Sequence, residues 1–178
     1  MVSFFFADNT VLVSFAMIGR MDLLETLFNG KGAWCPTVRD ECHDSANRPG
    51  LGSIVDADNF LGAPIMPTKA ELLCAQQFRT QLAKPGDSKY KHLGEAETLA
   101  VMVGRYNFEI LVTDDEDAKR LAAQHNVRVV TTLGLLKLVV RQNLAQPHDV
   151  IDYLRALRSR GAPQITSVGD LRNWASCP

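Results

Sequence analysis

The residues of this sequence best equipped for chemistry are acids placed where apolar runs end. The run Val2–Ala7 stops at Asp8, and the run Glu109–Thr113 stops at Asp114 and Asp115. Both runs read as short buried strands. In a parallel sheet both would deliver their acids to the same edge, outside the carboxyl ends of the strands. Glu41 falls early in a predicted helix, and Glu95 falls at the start of another. Carboxylates converging from these positions on one crevice would raise each other's pKa. A hard divalent cation resolves that conflict, and Mg²⁺ or Mn²⁺ prefers carboxylate oxygen and water. Each acid also has a plainer reading. Asp8 can cap the helix that begins near Thr10, and Asp115, Glu116 and Asp117 sit where a helix dipole favours negative charge. Glu41 can be a surface acid, and Glu95 and Glu97 can form a solvated helix face. Periodicity does not choose between those last two.

The elements that must position these acids alternate between strand and helix. Val2–Ala7, Ala33–Pro36, Glu109–Thr113 and Val127–Thr132 read as strands. Helices are expected over Val11–Ile18, Met21–Phe28, Thr37–Ser45, Lys69–Ala83, Gly94–Val103, Ala118–His125 and Leu133–Gln142. Thr68 with Glu71 three residues on forms a capping box. Residues 46–67, rich in Gly and Pro, show no clear period and read as a long loop or flap. Beyond Asp149 two further helices, Val150–Arg158 and Ser167–Ala175, form a helical extension. The expected fold is therefore α/β, a mostly parallel central sheet flanked by helices, because parallel strands need crossover connections. We expect one main domain over residues 1–145 and an appended segment over 146–178.

Composition narrows the class. The chain has 178 residues, 46% of them hydrophobic and 22% charged, the balance of a globular domain with a core of its own. The longest stretch without a charge, Asn9–Gly19, is too short to span a bilayer. The apolar start has no basic flank and is interrupted by Asp8, so no secretory leader is expected; the expected location is the cytoplasm. Cys35, Cys42, Cys74 and Cys177 form no C-x-x-C pair and read as reduced, mostly buried thiols. The four histidines, His43, His92, His125 and His148, share no ligand spacing and receive no role. A phosphate-binding P-loop and a complete dinucleotide fingerprint are both absent. A response-receiver domain is disfavoured, because its Asp pair should follow the first strand and here the pair comes late.

Four segments together carry a resemblance: FFFADNTVLVSFAMIGRMDLL, CPTVRDE, HLGEAETLAVMV and ILVTDDEDAKRLAAQHNVRVVTTLGLL. In this order, over about residues 3–140 and leaving out the Gly/Pro-rich segment, they resemble the PIN-domain family of metal-dependent nucleases. The subgroup most like this chain contains toxin components of bacterial toxin–antitoxin pairs, the VapC-like proteins. The resemblance implies a three-layer sandwich with catalytic acids at Asp8, Glu41, Glu95 and Asp114 or Asp115. Of these, Asp8, Glu95 and Asp115 would hold the metal, with Asn9 and Thr113 in support. It also implies single-stranded RNA as substrate, an antitoxin partner and a homodimer. The segment from Cys42 to Thr68 is longer and more irregular than a compact family member would need.

The chemistry so implied is phosphodiester hydrolysis assisted by one or two Mg²⁺ or Mn²⁺ ions, which need fixed carboxylates and no covalent nucleophile. Charge is unevenly spread: residues 1–117 carry 17 acids against 10 bases, and residues 118–178 carry 3 acids against 9 bases. Lys119, Arg120, Arg128, Lys137 and Arg141, with Arg155, Arg158 and Arg160, are therefore candidates for holding RNA phosphates beside the acidic centre. The rival reading is a catalytically silent PIN-like module that binds RNA or protein, motivated by the 46–67 flap and the C-terminal extension.

Overall fold

The computed structural model describes residues 4–177. Val2 and Ser3, expected to open the first strand, lie outside the described residues. The strands are β1 (Phe5–Ala7), β2 (Gly32–Ala33), β3 (Ile110–Val112) and β4 (Arg128–Val130). All pairings are parallel, in the order β2-β1-β3-β4. The chain moves from β1 to one side and later returns to the other side of β1, so the crevice where strand order reverses lies between β1 and β3. Ala7 pairs with Val112 and Val112 with Val130. Asp8, Thr113 and Thr131 therefore emerge side by side at one edge.

The helices are α1 (Asn9–Met17), α2 (Met21–Phe28), α3 (Pro36–Ala46), α4 (Ala57–Leu61), α5 (Lys69–Leu82), α6 (Leu93–Arg105), α7 (Glu116–Gln124), α8 (Thr132–Arg141), α9 (Pro147–Ala156) and α10 (Val168–Ser176). They cover both faces of the sheet. Phe6 and Leu111 face a core with Phe78 and Leu82 of α5, Leu99 of α6 and Leu121 of α7. Ala7 and Val112, next along the strands, face a second core with α1, α2, α3, α8, α9 and α10. Alternation along each strand thus feeds two layers, so these strands read as unbroken apolar runs. This is the α/β three-layer arrangement expected.

Two segments differ from expectation. The stretch over 46–67 is not a flap. A 3-10 turn (Gly52–Asp56) and α4 occupy its middle, and Leu51, Ile54, Ala57 and Leu61 are buried against α1, α2 and α3. Their spacing is helical, but Gly50 and Gly62, both at positive φ, break the run before a period can be read. Arg39 and His43 of α3 both reach Asp58 on α4, and Trp34 Nε1 donates to the Gly62 carbonyl at 2.8 Å. The C-terminal helices likewise share the main core: Val150, Ile151, Leu154, Leu157 and Leu171 are buried with Leu135 and Val139 of α8. A boundary at residue 145 divides nothing that packs separately. Of the cysteines, Cys35 and Cys42 are buried, Cys74 is half-buried and Cys177 is exposed.

Candidate metal centre

Asp8 is 1% exposed and occupies the turn from β1 into α1. It is both a cap and a candidate ligand: its side chain accepts from the Thr10 backbone N–H and from the Thr10 hydroxyl. Thr113 Oγ1 also donates to Asp8 Oδ2, at 2.8 Å, and accepts from the Asp115 N–H at 3.1 Å. The fully buried Thr113 thus ties the acid after β1 to the acid after β3. Burial nevertheless outweighs these donors and raises the Asp8 pKa.

Glu41, in the second turn of α3, and Glu95, in the first turn of α6, are brought beside Asp8. Burial pushes Glu41 up to about 7, with the Asp8 charge as the next cause and the Gly94 N–H opposing. Burial pushes Glu95 up to about 8, and Asp8, Glu41 and Asp115 all add to the rise. Gly94 explains part of this geometry. A Cβ there would sit 2.8 Å from one Glu41 carboxylate oxygen and 3.0 Å from the other. The bare glycine is what lets α3 and α6 bring two glutamates together.

Asp8, Glu41, Glu95 and Asp115 therefore lie close enough to act on one another electrostatically. Asp115 caps α7, accepting from the Ala118 N–H at 2.7 Å. One of its oxygens, a Glu95 oxygen and a His92 ring nitrogen lie within 4.8 Å of one another. Asp114 is engaged elsewhere: it accepts from the Thr132 N–H at 2.8 Å, the Thr132 hydroxyl at 2.6 Å and Ser14 Oγ at 3.2 Å. Of the Asp pair, Asp115 faces Glu95, and Asp114 anchors the start of α8. Glu97 resolves differently from Glu95. It is buried, and its Oε2 accepts from the Thr37 N–H at 2.9 Å, capping α3 where Cys35 supplies no side-chain bond. Asn9 donates to Ser45 Oγ at 3.2 Å, while its own Oδ1 is buried without a hydrogen bond.

The cations divide. Lys119, ion-paired with Glu116, lines a cleft with Asp114, Thr132 and Arg160. Arg160 Nη2 donates to the Thr10 carbonyl at 3.0 Å, and Arg160 also lines an open hollow with Asp115 and Asp117. Arg120 pairs with Asp117 and Arg155 with Asp152. Three cations expected beside the centre do not belong there. Arg128 begins β4, at the opposite edge of a parallel sheet, and donates to the Phe108 carbonyl. Lys137 and Arg141 lie on α8, which starts at the site edge and runs away from it, so Arg141 is about 13 Å along the helix from Thr132. Lys137 donates to the Cys177 carbonyl and Arg141 to those of Ala175 and Cys177. They secure the end of α10, a C-terminal role for which basic side chains are suited.

A sequence model of one family, described as PIN domain, matches residues 4–167. The chain belongs to the PIN-domain family. PIN domains are generally metal-dependent nucleases, and the converged carboxylates suit a divalent metal. The match runs past residue 145 and takes in α9, in keeping with the shared core. No curated protein matches the chain. Among the described residues, no helix of this PIN domain is long and apolar enough to cross a membrane. Thr10, which bonds to Asp8, and His92, which lies beside Glu95 and Asp115, are not marked by spacing in the sequence, because Asp115 reaches His92 only through the fold.

Proposed function

We propose that this chain is a Mg²⁺- or Mn²⁺-dependent endoribonuclease that hydrolyses RNA phosphodiester bonds. The supporting observation is the convergence of Asp8, Glu41, Glu95 and Asp115 at the carboxyl edge of the sheet, with burial raising the first three and the neighbouring carboxylates adding to the rise at Glu41 and Glu95. Such a group is costly without a cation and well matched to one. In this reading Asp8, Glu95 and Asp115 hold the ion, and Glu41, lodged against Gly94, orients water beside it. The bound ion supplies charge relief at phosphorus and makes water more acidic. Thr10 and Thr113 fix the Asp8 carboxylate, so the site is set before substrate arrives. Lys119 and Arg160, in the cleft beside Asp114, hold the flanking phosphates and place the strand across the acids.

The G-E-A-E and T-D-D segments support the further reading of a VapC-like toxin acting on single-stranded RNA in the cytoplasm. A cognate antitoxin and a homodimer are part of that reading. The test is cleavage of a mixed single-stranded RNA by purified protein with Mn²⁺ or Mg²⁺. Cleavage is expected, with loss on chelation and in Asp8→Asn. Undiminished cleavage by Asp8→Asn would refute the site. Metal binding without any cleavage would instead make the chain a silent binding module.

A further inference from the structure

His92 immediately precedes α6 and has φ 65, a left-handed backbone conformation uncommon for a residue with a side chain. Its side chain is only 4% exposed, yet neither ring nitrogen has a hydrogen-bond partner. Buried imidazoles without partners are rare. Nδ1 lies 3.9 Å from Glu95 Oε1 and Nε2 lies 3.5 Å from Asp87 Oδ2, both too long for hydrogen bonds. The Nδ1 side of the ring therefore faces the Glu95 carboxylate without bonding to it. Ligands about 2.1 Å from one metal lie about 3 Å apart when adjacent and about 4.2 Å apart when opposite. The ligand atoms of His92, Glu95 and Asp115 fall within 4.8 Å of one another.

We propose that His92 is a nitrogen ligand to the cation held by Glu95 and Asp115, making this a mixed nitrogen–oxygen centre that favours a transition-metal ion over Mg²⁺. The inference rests on the metal-centre reading above. Imidazole suits first-row transition metals, whereas Mg²⁺ keeps to oxygen. The other side of the ring is arranged in keeping with this, with a carboxylate 3.5 Å away. A metal-bound histidine almost always turns its second nitrogen to a carboxylate, carbonyl or water, and here Nε2 faces Asp87. Asp87 is itself held by Lys91 Nζ at 2.7 Å and the Lys84 N–H at 2.8 Å. A proton on Nε2, directed at Asp87, leaves the Nδ1 lone pair directed at the acids. The competing account is a protonated ring lying between Asp87 and Glu95 as a plain ion pair.

Pulsed electron paramagnetic resonance of the full chain loaded with Mn²⁺ alone separates the two. Nitrogen coupling to the bound ion is expected, changed in character when histidine is labelled with ¹⁵N and lost in His92→Gln. That variant should bind Mn²⁺ at least 10-fold more weakly by calorimetry, with Mg²⁺ affinity changed less than 2-fold. His92→Asp, which returns an oxygen ligand, should move the preference toward Mg²⁺. Mn²⁺ bound to the unaltered protein with no nitrogen coupling would overturn the His92 assignment and leave the carboxylate centre standing. Coupling that survives in His92→Gln would overturn it as well. Failure of the unaltered protein to bind Mn²⁺ at millimolar ion would overturn the metal centre itself. The labelled, unmutated protein gives its answer even if a variant does not fold.

Discussion

Replacing Glu95 with glutamine removes one charge from a buried group of acids, and its effect on stability must depend on pH. In the folded chain Glu95 is raised from the usual 4.5 to about 8, first by burial and then by the charges of Asp8, Glu41 and Asp115. The unfolded chain therefore loses the Glu95 proton near pH 4.5, while the folded chain keeps it until about pH 8. Between those values the unfolded state binds fewer protons, so stability falls as pH rises, and the fall levels off above about pH 8. At 1.36 kcal/mol per unit the full penalty has a ceiling of about 5 kcal/mol. The carboxyl is 14% exposed, and screening by solvent reduces the expected penalty to about 2–3 kcal/mol. Without divalent metal, Glu95→Gln should therefore unfold at higher urea than the unaltered protein at pH 8.5, and at nearly the same urea at pH 5. Equilibrium urea titrations in chelator at the two pH values measure the difference. Added Mn²⁺ should raise the stability of the unaltered protein at pH 8.5 and help the variant less, since binding to the folded state alone is stabilising. Equal midpoints for the two proteins at pH 8.5 would refute the picture of repelling, desolvated carboxylates.

Gly94→Ala places a methyl 2.8 Å from a Glu41 oxygen; it should displace that carboxylate, cost about 1–3 kcal/mol by overpacking, and lower metal affinity measured by calorimetry. Glu97→Ala should cost a similar 1–3 kcal/mol by leaving the Thr37 N–H unpaired, yet leave Mn²⁺ affinity within about 2-fold, so urea titration and calorimetry together distinguish it from Glu95. Arg160→Ala should weaken RNA binding and reduce the salt slope of log K by about one charge, read by fluorescence anisotropy with an uncleaved oligonucleotide, whereas Arg141→Ala should lower the melting temperature through α10 and leave that slope unchanged.

Asp8 and the Asp114-Asp115 pair stand directly after apolar runs, and a parallel sheet must present its strand ends on one edge. Their meeting therefore followed from local pattern and strand direction alone. Helix spans were readable for the same reason, since caps such as Thr68 with Glu71 act over three or four residues. Choices between neighbours were another matter. Glu95 and Glu97 flank the apolar stripe of one helix on opposite sides at similar angles. Only the approach of α3, with the Thr37 N–H reaching Glu97 and the Glu41 carboxylate resting on Gly94, gives the two different tasks. Asp114 and Asp115 part because Thr132 and Ser14 claim the first. The burial of 51–61 and of α9 and α10 was hidden because their apolar faces are short and acquire a partner only when the sheet brings α1 and α8 against them. Charge counting placed Lys137 and Arg141 with the acids, but the direction of α8 carries them away. His92 is the clearest case: a ring with no helpful spacing becomes meaningful only where a turn from α5, a helix start and a strand end come within a few ångströms. Short-range rules act through the bonds of neighbouring residues, and the distances that decide a site are set by packing between elements far apart in the chain.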